Sequence, residues 1–209
     1  FLPKVLQAPG MPNTTGPALV AGPFPPSMPL PQRRTARLRW GRVSVAGATY
    51  FVTLCTQARA PALSQSESAV KVLETLRELH AAGDAYILAA TVMTDHAHLL
   101  FTLGARLQLG QVMAKFKTLA RSRGYASWRW QEDGFEHRLR AAERSEDYGF
   151  YIFMNPYEAG LIPVELLWPW WFCPDPSQFR FLSLLNADGT PPHEWLRDLG
   201  KVKSRIITS

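Results

Sequence analysis

Cysteine is scarce in this chain of 209 residues, which has two, Cys55 and Cys173. Neither lies in a CxxC or other metal-ligand spacing, so neither a zinc module nor a disulfide scaffold is indicated. The sequence also lacks an apolar run of the roughly 18 residues that a membrane-spanning helix needs. These absences predict a cytoplasmic protein with no membrane partner.

Acidic residues are in the minority, since 17 Asp and Glu stand against 23 Lys and Arg and give a formal net charge of +6. A basic excess favours a polyanionic partner, although it does not identify one. The length allows one domain with a substantial core and is too short for two ordinary domains with linkers. We therefore expect one folded unit with tails.

Proline is concentrated at the beginning, where nine of the 17 prolines fall within the first 31 residues. No apolar periodicity accompanies them, so residues 1–32 are predicted to be a disordered or polyproline-II tail. Five arginines follow within residues 33–42 without an acidic residue. Three of them, Arg33, Arg34 and Arg37, are expected to contact nucleic-acid phosphates, with a solvated linker as the alternative.

The apolar pattern that follows predicts a small sheet and several helices. Residues 49–56 are rich in β-branched and aromatic side chains and indicate a strand. A capping-box spacing at residues 64–67 predicts the start of an amphipathic helix that closes at Gly83. Residues 86–93 and 96–103 form two further strands, joined by a tight turn at Thr94 and Asp95 into a hairpin.

Two more helices are predicted after the hairpin. Leu109, Val112 and Phe116 mark the apolar face of the first, and Ser145 is expected to cap the second. The second helix carries Tyr151 and should stop near Asn155, because a proline at position 156 disfavours helical geometry in the residue before it. The order of elements predicts an α+β fold, a small antiparallel sheet covered by helices.

His96 and His98 are the first candidate site residues. Residues two apart in a strand project from the same face, so both imidazoles can converge on one divalent ion. A structural pair of polar side chains is the alternative. The position of the pair, at the start of a strand beside Asp95, favours a ligand site.

Tyr151 and Asn155 are four residues apart on the predicted helix and therefore share a face. A core tyrosine with a capping asparagine is the alternative. A phenol can attack a phosphodiester to give a phosphotyrosine and a free 3′ hydroxyl, provided that its ionisation is assisted. A metal on His96 and His98, with the Asn155 amide oxygen as third ligand, could assist it, and such donors suit Mg²⁺ or Mn²⁺.

Basic and aromatic residues alternate between positions 115 and 140. This alternation is typical of a groove for single-stranded nucleic acid, in which phosphates are neutralised while bases stack; a solvated helix face is the alternative. His137 is expected either to position a phosphate or to pack beside Phe135. The other candidate DNA contacts in this segment are Lys115, Lys117, Arg121, Arg123, Trp130, Arg138 and Arg140.

Two segments, residues 94–100 (TDHAHLL) and residues 151–161 (YIFMNPYEAGL), together resemble the REP-associated tyrosine transposases. These are members of the HUH transposases of small insertion sequences, named for a His, hydrophobic, His signature. The resemblance extends to residues 50–56 and 134–140. It covers residues 33–172, which would be the catalytic domain, with residues 173–209 as a C-terminal extension.

The resemblance implies an RRM-like or ferredoxin-like fold, Mg²⁺ or Mn²⁺, and cleavage of single-stranded DNA beside a hairpin through a 5′-phosphotyrosine. It makes Tyr151 the nucleophile and His96, His98 and Asn155 the metal ligands. It further implies a protein of the bacterial cytoplasm or nucleoid, acting as a monomer or homodimer. Tyr157 and Glu158 depart from the family, in which an aliphatic and a basic residue are common at these positions.

Two other functions fit the same pattern. One is a catalytically lapsed or domesticated DNA- or RNA-binding protein of the same fold. The other is a metal-dependent hydrolase that uses the histidine pair without covalent chemistry, for which no protein–DNA adduct is expected.

Overall fold

The computed structural model describes residues 44–122 and 128–208, with the side chain of residue 122 excepted. The expected DNA contacts of Arg33, Arg34, Arg37 and Arg123 lie outside these residues. The strands are β1 (Thr49–Cys55), β2 (Ala85–Val92), β3 (His96–Leu103), β4 (Phe135–Arg138) and β5 (Trp171–Phe172). The α-helices are α1 (Ser66–Ala81), α2 (Leu109–Ser122), α3 (Ser145–Glu158) and α4 (Trp195–Lys203).

The strands form one antiparallel sheet in the order β4-β1-β3-β2-β5. The first part of the chain, from β1 to β4, follows the order strand, helix, two strands, helix, strand that defines a ferredoxin-like unit. The predicted α+β class and the hairpin of β2 and β3 are confirmed. Short β4 and β5 were not predicted, and they add one strand at each edge of the sheet.

Both faces of the sheet are covered, so most residues of β1, β2 and β3 are buried. In β1, Tyr50, Val52 and Leu54 belong to a core shared with α1 and α2. The alternate residue Phe51 belongs to a second core shared with α3 and Leu100 of β3. Alternation along the strands thus decides which residues can meet α3.

Helix α3 continues beyond the predicted stop and ends at Glu158, with Pro156 inside its last turn. Pro156 disfavours helical geometry at Asn155, and tertiary contacts of Tyr157, the residue after the proline, offset this cost. The Tyr157 hydroxyl donates to the Leu166 carbonyl at 3.1 Å and accepts from the Trp168 N–H at 3.2 Å. The expectation that the helix ends near Asn155 was therefore wrong.

The predicted helix caps were also wrong, although both helices exist. Helix α1 follows Gln65 and has no side-chain cap, because the Ser64 hydroxyl donates to the Pro61 carbonyl at 2.6 Å instead. Ser145 is the first residue of α3 and does not cap it. The first-turn acid Glu146 accepts from the N–H groups of Arg180 and Phe181 and so ties the C-terminal segment to α3.

The C-terminal residues form part of the second core. Phe179, Phe181, Trp195, Leu199 and Val202 pack in the same cluster as the buried residues of α3. Of the helices in the described ranges, none is long and apolar enough to cross a membrane.

Candidate active site

The two histidines meet on the face of the sheet that α3 covers. His96 pairs with Cys55 and His98 with Thr53 across the β1–β3 ladder. The Nε2 atoms of the two imidazoles lie 3.0 Å apart, and the ring planes are nearly perpendicular at 84°. The predicted convergence of the two side chains therefore exists in the structure.

A different polar partner holds each imidazole by its other nitrogen. His96 Nδ1 lies 2.6 Å from Asp95 Oδ1, and Asp95 Oδ2 lies 3.1 Å from Arg59 Nε. His98 Nδ1 lies 2.9 Å from Thr53 Oγ1. The contact with Asp95 fixes the orientation of the His96 ring, with Nε2 directed toward His98. A hydroxyl both donates and accepts, so Thr53 can serve either tautomer of His98.

His98 is 5% exposed, and its ring stacks on Phe51 with centroids 5.6 Å apart. This burial, together with the charge of His96, lowers the pKa of His98 well below its ordinary value. The ring is consequently neutral at pH 7. Neutral imidazole is the form that binds metal ions.

Tyr151 faces this pair from α3. Its ring centroid lies 5.5 Å from that of His98, in an edge-to-face arrangement, and the residue is 8% exposed. Asn155, one turn further along α3, lies close enough to both His98 and Tyr151 to influence the pKa of each. The four residues of the expected site are therefore together, and their chemical roles stay predictions.

The protein environment alone does not favour ionisation of the Tyr151 phenol. Burial raises the pKa of the Tyr151 phenol, and the charge of Glu158 adds to this effect, while Asn155 and the charge of Lys203 act in the opposite direction. The phenol is thus protonated at neutral pH, and attack on a phosphate requires stabilisation of the phenolate.

The donor set fits a small hard divalent ion. The two Nε2 atoms lie within hydrogen-bonding distance of each other at 3.0 Å, a separation that also allows both to bind one ion about 2.1 Å away. Within residues 44–122 and 128–208, no cluster of three or more His, Cys, Asp or Glu could hold a metal. An ion here would depend on the two imidazoles, the Asn155 amide oxygen and ligands from outside the protein.

The basic residues that were expected to contact DNA differ in whether the protein itself already engages their side chains. Lys115 Nζ donates to the buried Asp84 at 2.7 Å, and Lys117 Nζ donates to the carbonyls of Gln131 and Glu132 at 2.8 Å each. These two lysines are engaged by the protein itself. Arg121, Arg138 and Arg140 have exposed side chains, and Arg138 lies on edge strand β4.

Trp130 and His137 also have protein partners. The Trp130 ring is 8% exposed and packs 5.6 Å from Phe116 in the first core. His137 Nε2 lies 2.7 Å from Glu143 Oε2, and its ring stacks on Tyr148 at 5.9 Å. Of the two expectations for His137, packing beside an aromatic ring describes these contacts, with Tyr148 in place of Phe135.

Several residues of the site were missed by sequence reasoning. Thr53 is one of many threonines, and only the β1–β3 register reveals its contact with His98. Arg59 lies in the short 3-10 segment Gln57–Arg59, with an unusual backbone φ of 55°. Lys203 lies 52 positions after Tyr151 in the printed sequence, and the spacing of Trp195, Leu199 and Val202 could have indicated the helix that carries it.

Comparison with solved structures identifies a similar fold. A structure described as a REP-associated tyrosine transposase bound to a REP hairpin has 20% identity and a TM-score of 0.54, with 63% of this chain and 80% of that chain covered. A crystal structure of a candidate transposase from Deinococcus radiodurans R1 has 19% identity and a TM-score of 0.40, covering 48% and 85%. The conclusion that the fold is shared depends on the first of these two structures.

Residues 44–133 match the family model described as "Transposase IS200 like". This segment, which includes the histidine pair, is similar to the IS200-like transposases. A comparison with curated proteins finds no match.

Proposed function

We propose that this protein is a metal-dependent endonuclease and strand transferase for single-stranded DNA, with Tyr151 as the nucleophile. The observation that carries the proposal is the position of the Tyr151 ring, 5.5 Å from the ring of His98 and on the same face as both imidazoles. Similarity to a transposase that binds a REP hairpin supports DNA that contains a hairpin as the substrate.

In the proposed reaction the Tyr151 oxygen attacks a backbone phosphorus atom. The new bond joins the tyrosine oxygen to the 5′ phosphate, and the bond from phosphorus to the 3′ oxygen breaks. The phenolic proton is balanced by the proton that the released 3′ hydroxyl acquires. Return of a 3′ hydroxyl to the phosphotyrosine reverses these changes and rejoins a strand.

The residues of the site would have different roles in this reaction. His96, His98 and Asn155 would hold Mg²⁺ or Mn²⁺, which when bound polarises the scissile phosphate. Asp95 and Thr53 fix the imidazole orientations, as partners of metal-ligating histidines commonly do. Asn155 would also help to hold the Tyr151 hydroxyl on the side of the imidazoles.

The test is covalent capture of DNA. We expect wild-type protein with Mn²⁺ to form a denaturant-stable adduct with an oligonucleotide that carries a hairpin and a single-stranded flank. Tyr151→Phe should abolish the adduct and leave DNA binding unchanged, and a chelator should have the same effect on wild type.

Tyr86→Phe is the matched control, because Tyr86 is 50% exposed and its ring contacts His80 rather than the histidines of the site. It should form the adduct at close to the wild-type rate. Binding without any adduct in wild type would instead identify a DNA- or RNA-binding protein without catalysis. Cleavage without an adduct would identify a hydrolase.

A further inference from the structure

The carboxylate of Asp95 joins the candidate metal site to the loop that follows β1. Its Oδ1 atom lies 2.6 Å from His96 Nδ1, and its Oδ2 atom lies 3.1 Å from Arg59 Nε. Each oxygen of one planar carboxylate thus has its own partner, so the position of the guanidinium influences the position of the imidazole. Arg59, Asp95 and His96 form one chain of direct polar contacts.

The guanidinium of Arg59 has a second anchor on the sheet itself. Arg59 Nη1 donates to Cys55 Sγ at 2.9 Å, and Cys55 is the partner of His96 in the β1–β3 ladder. The side chain of Arg59 is 50% exposed, so an ion pair with Asp95 alone would hold it weakly. Because the guanidinium is planar and two of its donors are engaged, it has little freedom to turn.

The backbone that carries Arg59 is in an unusual conformation. Ala58 and Arg59 have positive φ angles of 56° and 55°, which residues with a Cβ atom rarely adopt and which persist only where surrounding contacts hold them. The fully buried Thr56 supplies such contacts. Its N–H donates to the Asp95 carbonyl at 2.8 Å, and its hydroxyl donates to the Ala60 carbonyl at 2.7 Å. The backbone of the loop is therefore tied to the same residue whose carboxylate contacts Arg59.

We propose that Arg59 is a positioning residue for metal binding, which holds Asp95, and through it the His96 ring, in the orientation that brings the two imidazoles together. This inference rests on the proposed function, in which His96 and His98 are metal ligands. Groups that contact a ligating histidine fix its ring orientation, and they in turn need support from their own neighbours. The loop after β1 would provide that support from outside the ligand set.

The test is the Mn²⁺ affinity of the full chain without DNA, measured by electron paramagnetic resonance. Arg59→Met retains a long side chain and removes the charge and the donors. We expect it to weaken Mn²⁺ binding about tenfold, the lower end of the effect of losing an outer partner of a metal-ligating histidine. Arg59→Lys should recover part of the affinity, because it keeps the charge but not the planar fork. Urea unfolding checks that both variants are folded.

A double-mutant cycle tests whether the effect passes through Asp95. Asp95→Ala should itself weaken Mn²⁺ binding. Arg59→Met should then cost little more in the Asp95→Ala background, because the connection to His96 is already broken. Losses that multiply in the double variant would show that Arg59 acts by another route, and they would overturn the inference.

Arg106→Met is the matched control, because Arg106 also pairs with an aspartate, Asp84, at 2.8 Å. This pair lies beyond the end of the β2–β3 hairpin that is opposite to His96. The control should bind Mn²⁺ like wild type. Equal Mn²⁺ affinity in Arg59→Met and wild type would overturn the inference, as would a loss of DNA affinity alone. Failure of wild type to bind Mn²⁺ would overturn the proposed function itself.

Discussion

Thr53 Oγ1 lies 2.9 Å from His98 Nδ1, with both side chains buried between the sheet and α3. The contact crosses the β1–β3 ladder, in which these two residues are direct partners. It fixes the plane of the ring that also contacts His96 and Tyr151. The orientation of the candidate metal ligand thus depends on the neighbouring strand.

Thr53→Val should weaken metal binding by about 10- to 100-fold, the usual effect of removing a partner of a metal-ligating histidine. The measurement is direct Mn²⁺ binding by electron paramagnetic resonance, together with the Mn²⁺ dependence of cleavage. Thr49→Val is the control, since Thr49 lies on the same strand and contacts Thr102 at 3.4 Å. Equal Mn²⁺ affinity in both variants would show that Thr53 does not orient a ligand.

Arg138→Gln should reduce the salt dependence of DNA binding. Each phosphate contact that is lost lowers the slope of log affinity against log salt by about one unit. Arg138 is exposed on β4, and fluorescence anisotropy over a salt series measures the slope. Lys71→Gln is the control. It removes a charge from α1, which packs on the face of the sheet opposite to α3, and should leave the slope unchanged. If the slope of Arg138→Gln equals that of wild type, Arg138 does not contact phosphate.

Asp84→Asn should destabilise the fold at neutral pH by about 1–3 kcal/mol, the cost of leaving buried partners unmatched. Asp84 is 1% exposed and accepts from Lys115 at 2.7 Å and Arg106 at 2.8 Å. The Lys115 hydrogen bond, aided by Arg106, lowers the pKa of Asp84 in spite of burial. Its stabilisation is therefore present above the unfolded-state pKa and is lost as pH falls through the lower folded-state value.

Urea unfolding at about pH 7 and about pH 3 measures this difference. The gap between wild type and Asp84→Asn should be large at the higher pH and narrow at the lower one, where Asp84 of wild type begins to protonate. A gap that is independent of pH would show that the charge of Asp84 contributes nothing.

Gly149→Ala should destabilise the protein by about 1–3 kcal/mol through overpacking. A Cβ atom at this position on α3 would lie 2.3 Å from Cε1 of the Phe179 ring. Gly200→Ala on α4 is the control, because nothing lies within 4 Å of its added Cβ. It should stabilise by about 0.5–1 kcal/mol. Thermal unfolding compares them, and equal shifts would contradict the close packing of α3 against Phe179.

The sequence pattern predicted which side chains share a face within one strand or one helix. The alternation of residues 96–103 placed His96 and His98 on one face and Ala97 and Leu99 on the other, and the structure has this arrangement. The spacing of Tyr151 and Asn155 predicted a shared helix face in the same way. The relative position of the two pairs came from the family resemblance, because no local rule relates a strand to a helix some fifty residues later.

The parts that were missed depend on partners distant in sequence. Strand β5 has two residues, Trp171 and Phe172, and exists because β2 offers an edge to pair with. The last turn of α3 persists past Pro156 because Tyr157 is held by Leu166 and Trp168. Propensity alone ends the helix earlier, since it contains no information about these contacts.

Every residue of α3 from Asp147 to Tyr157 is buried. If Tyr151 is the nucleophile proposed above, its enclosed helix restricts outward movement of the side chain, and the DNA strand would bend inward to reach it. Duplex DNA resists sharp bending over distances of about 50 nm, whereas an unpaired strand does not. Preference for unpaired DNA would then follow from the stiffness of the substrate, with no base needing to be read.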